Sequence, residues 1–159
     1  MTPSCALKCG LGRFPGDGMS EPDPVSSGTV LMVEDEPDLA RMFQHIFGRA
    51  NVKLATAATG WEAMRLFHSD PQAYSLLFVD HHLPDMAGSD LCEHLRTIIP
   101  GLPVLLVSGA DRHEAYLQLR TNGPTAFMRK PYLPVKVLDQ ARCLMTQSPH
   151  SAEPFGIGS

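Results

Sequence analysis

Hydrophobic residues in the middle of the chain form two kinds of pattern that alternate along the sequence. Residues 30–33, 76–79 and 104–107 are continuous apolar runs, as expected of strands that helices cover on both faces. Between such runs, apolar residues recur at spacings of three and four and predict amphipathic helices. Together the patterns predict five strands, at residues 29–33, 52–57, 75–80, 104–108 and 125–128.

Signals for helix starts and stops occur after each predicted strand. Pro37 suits a first helical turn, Thr59 and Glu62 match a capping box, and Asn122-Gly123 is a stop signal. The predicted helices lie at about residues 37–50, 59–67, 91–98, 112–121 and 134–145. Strand–helix units joined by right-handed crossovers predict an α/β fold with a doubly wound, five-stranded parallel sheet.

Composition divides the chain into three parts. Residues 1–27 contain four prolines and four glycines and predict a flexible leader. Residues 147–159 lack periodicity and predict a disordered tail, which leaves a domain at residues 28–146. Only 14 residues follow Met145, too few for a helix-turn-helix or catalytic output domain, so we expect output through protein contacts.

The net charge and the hydropathy of the chain argue against nucleic acid and membranes as binding partners. The chain has 159 residues and a formal net charge of -4, which gives no general attraction to nucleic acid or anionic lipid. No apolar run approaches the roughly 18 residues that a membrane span needs, and the N-terminus does not resemble a signal peptide. We therefore expect a cytoplasmic protein that does not bind DNA or membranes directly.

Polar residues follow four of the predicted strands at the edge where a parallel sheet binds its ligands. Glu34 and Asp35 follow the first strand, Asp80 ends the third, Ser108 ends the fourth and Lys130 comes shortly after the fifth. Clustered carboxylates repel one another, and either protonation or a hard cation such as Mg²⁺ relieves the repulsion. A cation held by Asp35 and Asp80 would neutralise an incoming phosphoryl group, while Lys130 contacts another of its oxygens and Ser108 donates a hydrogen bond. The sequence predicts Asp80 as the nucleophile.

Five motifs at these strand ends resemble the receiver domain of bacterial two-component response regulators, and the resemblance covers the whole domain. They are Val33-Glu34-Asp35-Glu36, Val79-Asp80, Leu83-Pro84-Asp85-Met86-Ala87-Gly88, Val107-Ser108-Gly109 and Arg129-Lys130-Pro131. The resemblance implies a flavodoxin-like (βα)5 fold with strand order 2-1-3-4-5.

The resemblance also implies a role for each site residue. Asp80 would be the phosphoacceptor and, together with Glu34, Asp35 and the backbone carbonyl of His82, would hold Mg²⁺. Lys130 would contact the phosphoryl group. Ser108 would be the switch hydroxyl, and the switch aromatic would be Phe127, three residues before the lysine.

The resemblance implies a phosphorelay switch that catalyses its own phosphorylation and dephosphorylation. A sensor histidine kinase or a phosphotransfer protein would donate the phosphoryl group to Asp80. The conformational change would alter the face formed by the fourth helix, the fifth strand and the fifth helix. A downstream protein target, or a second copy in a homodimer, would contact this face.

Other functions compete with this interpretation. The domain could be a protein-interaction module that works without phosphorylation, or a receiver excised from a hybrid sensor kinase. A phosphatase with an aspartate nucleophile would need a second acid two residues further on, where this chain has His82. A flavodoxin-like electron carrier would need its phosphate loop after the first strand, whereas Thr56-Ala57-Ala58-Thr59-Gly60 follows the second.

His82 also departs from the commonest pattern of the family. Its side chain lies where the family tunes access of water to the acyl phosphate. An imidazole at this position predicts a phosphorylated state whose lifetime depends on pH near neutrality.

Overall fold

The computed structural model describes residues 28–109 and 113–147. The predicted leader at residues 1–27 lies outside the described residues, and so does the predicted tail apart from Gln147. The five strands are β1 (Thr29–Val33), β2 (Lys53–Ala57), β3 (Tyr74–Asp80), β4 (Val104–Ser108) and β5 (Thr125–Arg129). The five α-helices are α1 (Pro37–Arg49), α2 (Gly60–Ser69), α3 (Gly88–Ile98), α4 (His113–Arg120) and α5 (Pro134–Met145).

All five strands pair in parallel in the order β2-β1-β3-β4-β5. This arrangement confirms the predicted α/β class, the doubly wound sheet and the strand order 2-1-3-4-5. Predicted and observed element ends mostly agree within two residues. The start of α3 differs most, because its first turn holds the small and polar residues Gly88, Ser89 and Asp90, which give no hydrophobic period.

Side chains of each strand alternate between two hydrophobic clusters on opposite faces of the sheet. Val30 and Met32 of β1 pack with α1 and α5, whereas Leu31 and Val33 pack with α2, α3 and α4. The central strand β3 is buried at every position from Tyr74 to Asp80. Burial on both faces accounts for the continuous apolar runs in the sequence.

Local signals fix the N-terminus of α2 as predicted. The Thr59 hydroxyl accepts a hydrogen bond from the backbone N–H of Glu62 at 3.0 Å, and the Glu62 carboxylate accepts one from the N–H of Ala58 at 2.9 Å. The N-cap of α3, Ala87, has no side-chain oxygen and makes no such bond.

The start of α3 packs directly against the end of β3. The backbone N–H of Gly88 donates a hydrogen bond to the carbonyl oxygen of His81 at 2.7 Å. A Cβ at residue 88 would overlap the carbonyl oxygen of Asp80, so only glycine permits this approach. The helix thereby holds the loop that follows Asp80 close to the strand.

The other end of α3 is held by a buried arginine. Arg96 is 5% exposed and donates hydrogen bonds to the backbone oxygens of Leu102, Leu119 and Pro124 and to the Thr125 hydroxyl. These acceptors lie before β4, at the end of α4 and at the start of β5. One guanidinium therefore joins four segments through neutral oxygens.

Candidate functional site

The parallel register brings the ends of β1, β3, β4 and β5 to one edge of the sheet. Val33 lies opposite Val79, Asp80 opposite Val107, and Ser108 opposite Arg129. Neighbouring strands therefore bring the five predicted site residues to this edge, at the strand ends or just after them. These residues are Glu34, Asp35, Asp80, Ser108 and Lys130.

Three carboxylates form a compact cluster at this edge. One oxygen from each of Glu34, Asp35 and Asp80 lies within 4.8 Å of the other two. Glu34 and Asp80 are 5% and 6% exposed, whereas Asp35 is exposed to solvent. The cluster thus combines two buried carboxylates with one exposed carboxylate.

Burial changes the protonation of Glu34. The pKa of Glu34 is raised to about 7, chiefly by desolvation; the charge of Lys130 acts to lower it, and the charges of Asp80 and Asp35 act to raise it. The backbone N–H of Glu36 donates a hydrogen bond to Oε2 of Glu34 at 3.1 Å, which favours the charged form. The buried carboxylate of Glu34 is therefore costly to ionise unless a further cation lies beside it.

Lys130 is the cation that faces this cluster. Its Nζ lies 2.9 Å from Oδ2 of Asp80 and 3.9 Å from Oε1 of Glu34. Burial alone would lower the pKa of Lys130, but the hydrogen bond from its ammonium to Asp80 and the charges of Asp80 and Glu34 raise it. Lys130 is therefore fully charged at neutral pH.

Both oxygens of the Asp80 carboxylate have donors. The backbone N–H of His82 donates to Oδ1 at 3.0 Å, and the Lys130 ammonium donates to Oδ2. The carboxylate is therefore fixed in orientation before any ligand binds. The family resemblance implies that the backbone carbonyl of His82 is a metal ligand, and this role stays a prediction.

The donor set fits a hard divalent cation. The cluster offers carboxylate oxygens only, which is the ligand type that Mg²⁺ prefers. Three carboxylates face one ammonium, so a cation would offset the repulsion among them.

A family model for the response regulator receiver domain matches residues 30–142. The chain belongs to this family. It is a receiver domain of the kind found in two-component response regulators, as the sequence motifs predicted.

Curated relatives of this receiver domain include two from bacteria. The probable transcriptional regulatory protein TcrX of Mycobacterium tuberculosis is 33% identical over 120 residues, which are 76% of this chain and 50% of TcrX. The response regulator RppA of Synechocystis is 28% identical over 120 residues, 76% of this chain and 51% of RppA. The chain therefore spans about half the length of these relatives.

Solved structures share the fold of this receiver domain. The non-phosphorylated HemR receiver domain of Leptospira biflexa has a TM-score of 0.67 and 26% identity, covering 77% of this chain and 98% of that one. A CheY-like receiver domain protein of Methanospirillum hungatei has a TM-score of 0.68 and 23% identity, covering 76% and 94%.

The two predicted switch residues lie on the paired strands β4 and β5. Ser108 is fully buried at the end of β4, and its carbonyl oxygen accepts a hydrogen bond from the N–H of Lys130 at 2.8 Å. Phe127 is partly buried in β5, opposite Leu106, and its ring lies 6.2 Å from that of Tyr116 on α4. The aromatic contact links α4 to the strand that precedes Lys130.

Sequence reasoning missed the anchor of the loop that follows Asp80. Asp85 accepts hydrogen bonds from the backbone N–H groups of Gly60 and Trp61, both at 2.9 Å. Its carboxylate therefore caps the N-terminus of α2 from a distant part of the chain. Nothing in the sequence around Asp85 indicates that its carboxylate contacts the N-terminus of α2.

Sequence reasoning also missed Tyr132, which lies two residues after Lys130. Its ring centroid is 6.0 Å from that of Phe43, and its hydroxyl is buried. Burial raises the pKa of Tyr132 to about 12, so the phenol stays neutral beside the acidic cluster.

Within the described residues, we find no helix with the length and apolar character required to span a membrane.

Proposed function

We propose that Asp80 accepts a phosphoryl group and that the domain signals through the resulting change in conformation. The observation that carries the proposal is the arrangement of the Asp80 carboxylate between the Lys130 ammonium at 2.9 Å and the His82 N–H at 3.0 Å, beside Glu34 and Asp35. A fixed, partly compensated carboxylate at the open edge of the sheet suits nucleophilic attack.

The proposed donor is a phosphohistidine of a sensor histidine kinase or a phosphotransfer protein. A carboxylate oxygen of Asp80 attacks the phosphorus, a P–O bond forms and the P–N bond of the donor breaks. The imidazole leaves and takes up a proton, and the acyl phosphate stays on Asp80. Water later cleaves the acyl phosphate and regenerates the carboxylate with inorganic phosphate.

Lys130 and Ser108 act on the phosphoryl oxygens in this proposal. The ammonium stays charged and can exchange its contact with Asp80 for one with a phosphoryl oxygen, which offsets developing negative charge. The Ser108 hydroxyl, at the end of the adjacent strand, would donate a hydrogen bond.

Glu34, Asp35, Asp80 and the backbone carbonyl of His82 would hold Mg²⁺. When bound, the ion supplies positive charge beside the phosphoryl oxygens. Among the chain's own residues, Glu34 would provide a buried oxygen ligand and Asp35 an exposed one.

The proposed switch couples Ser108 and Phe127 to the face formed by α4, β5 and α5. Movement of the Ser108 hydroxyl toward a phosphoryl group would vacate volume that the Phe127 ring can enter, since the two residues lie on the paired strands β4 and β5. The contact of Phe127 with Tyr116 would transmit the change to α4.

The output partner belongs to the same proposal. A downstream protein target, or a second copy in a homodimer, would contact the α4–β5–α5 face. Direct DNA binding by this chain is not proposed, although TcrX is named as a probable transcriptional regulatory protein. A cytoplasmic location is part of the proposal.

A titration with beryllofluoride and Mg²⁺, followed by the amide NMR signals of the full chain, tests this proposal. Beryllofluoride mimics a carboxylate-bound phosphoryl group and does not hydrolyse. We expect saturable shifts in β4, α4 and β5 for the wild type and for the surface control Asp139→Asn, and none for Asp80→Asn. Equal shifts in Asp80→Asn, or no binding by the folded wild type, would contradict the proposal.

A further inference from the structure

A surface groove lies between α2 and α3. Its apolar part includes Trp61 of α2 and Met86 of the loop that precedes α3, and its polar part includes His68, Asp90 and His94. None of these residues belongs to the acidic cluster.

Two imidazoles face each other across this groove. Nε2 of His68, near the end of α2, lies 3.4 Å from Nε2 of His94, in the middle of α3. The ring planes differ by 13° and the centroids are 5.6 Å apart, so the rings meet edge on with the two nitrogens between them. Both side chains are exposed, and solutes can therefore reach both nitrogens.

The separation of the nitrogens suits a shared metal ion. Tetrahedral Zn²⁺ binds histidine nitrogen at about 2.0–2.1 Å, which places two such nitrogens about 3.4 Å apart. The observed 3.4 Å matches this spacing, and rotation of the two exposed side chains would turn both lone pairs from the line that joins the nitrogens toward one ion.

A carboxylate in the same groove would become a third ligand if its side chain rotated. Asp90 lies one helical turn before His94 on α3, and residues at this spacing have neighbouring side chains. Asp90 lines the same groove and is exposed, but its carboxylate oxygens do not lie within 4.8 Å of both imidazole nitrogens, so its side chain would have to rotate to reach a shared ion. Glu62 adds a second acid to the groove and Arg65 one permanent cation, so the charges around the imidazoles are mixed.

We propose that His68, His94 and Asp90 form a binding site for a divalent transition-metal cation of the zinc class. Imidazole nitrogen is a good ligand for zinc and a poor one for Mg²⁺. The acidic cluster, by contrast, offers only oxygen ligands. The two sites therefore differ in ligand chemistry, and this one goes beyond the proposed phosphoryl transfer.

Metal at this site would join α2 and α3 at a second point. Asp85, in the loop after the phosphoacceptor, already contacts the N-terminus of α2. His68 lies at the opposite end of that helix. A bound ion would thus fix both ends of α2 against the unit that contains α3 and its leading loop.

Histidine ring signals in NMR spectra of the full chain, recorded during titration with ZnCl₂ under reducing conditions and excess Mg²⁺, test the proposal. We expect the signals of His68 and His94 to move together and saturate at one equivalent. In His68→Gln and His94→Gln the apparent affinity should fall at least about tenfold, since loss of a direct ligand costs no less than loss of a supporting contact.

Two controls separate this site from other zinc ligands. His45→Gln removes an exposed histidine of α1 and should leave the shifts unchanged. Asp80→Asn alters the acidic cluster and should also leave the His68 and His94 shifts unchanged. The proposal is wrong if either ring fails to respond to zinc, or if His94 responds equally well in His68→Gln.

Discussion

Lys130 Nζ donates a hydrogen bond to Oδ2 of Asp80 across 2.9 Å, although 50 positions separate the two residues in the chain. The contact exists because β3, β4 and β5 are neighbouring parallel strands, so their carboxyl ends meet at one edge of the sheet. The side chain of Asp80 is 7% exposed and that of Lys130 is 30% exposed. Loss of the ammonium would leave the buried Asp80 carboxylate without its compensating charge, so the pair affects stability as well as chemistry.

Replacement of Lys130 tests the charge balance of the site. Lys130→Met keeps much of the side-chain length but leaves the carboxylates without their ammonium, so we expect the free energy of unfolding without Mg²⁺ to fall by about 1–3 kcal/mol. Added Mg²⁺ should stabilise this variant more than the wild type. Urea unfolding with and without Mg²⁺ measures both effects. Lys136→Met, on the exposed face of α5, is the control, and equal stability of the two variants without Mg²⁺ would refute this account.

Arg96 is expected to be essential for stability. Arg96→Met removes one hydrogen-bond donor from each of the carbonyl oxygens of Leu102, Leu119 and Pro124, of which the last two keep a backbone N–H donor, so the free energy of unfolding should fall by on the order of 3 kcal/mol. Arg96→Lys should also destabilise, because one ammonium does not reproduce the guanidinium fork. Denaturant unfolding, with Arg142→Met as the exposed control, measures the loss. A loss of free energy of unfolding smaller than that of Arg142→Met would contradict this role for Arg96. It would mean that water satisfies the carbonyl oxygens in place of the guanidinium.

The N-cap of α3 can be improved. Ala87 has the extended backbone of an N-cap but no side-chain acceptor. Ala87→Ser adds one for the first-turn N–H groups, so we expect a gain of about 1 kcal/mol in the free energy of unfolding. Chemical denaturation measures the gain, and an Ala87→Val variant, which adds volume without an acceptor, should show none. Equal stability of the serine and valine variants would mean that no cap forms.

The pKa of Asp85 leads us to expect that its contribution to stability depends on pH. Burial alone would raise its pKa, but hydrogen bonds from the N–H groups of Gly60 and Trp61 lower it below the usual 3.8. A depressed pKa stabilises the fold above the unfolded-state value, and this stabilisation is lost as the pH falls through the folded-state value. Asp85→Asn should therefore be less stable than the wild type at neutral pH, and the difference should shrink between about pH 5 and pH 3.

Urea unfolding of both proteins across this pH range measures the difference. Asp70→Asn, which alters an exposed aspartate without a capping hydrogen bond, should show no such trend. A constant difference between wild type and Asp85→Asn at all pH values would contradict the role of the carboxylate charge.

Much of the fold and of the site followed from the sequence. Continuous apolar runs identified the buried strands, and in a parallel sheet the strand ends must meet, so the amino-acid order alone was enough to group Glu34, Asp80 and Lys130. The motifs then identified the family. These inferences depend on local patterns and on topology, both of which the sequence encodes directly.

Contacts between distant side chains could not be predicted in this way. Arg96 occupies an ordinary polar position in a helical pattern, and only the packing of α3, α4 and β5 buries it. The pairing of His68 with His94 depends on how α2 and α3 pack against each other. Asp85 finds its partners 24 and 25 positions earlier in the chain, which no motif indicates.

The central claim is that Asp80 is the phosphoacceptor, and intact-protein mass spectrometry after incubation with acetyl phosphate and Mg²⁺ tests it most directly. The account predicts a gain of one phosphoryl group, about 80 Da, in the wild type and in Asp139→Asn. It predicts no gain in Asp80→Asn, or in the wild type with chelator. A gain that persists in Asp80→Asn, or no gain by folded wild type sampled at times shorter than acyl-phosphate hydrolysis, would contradict the account.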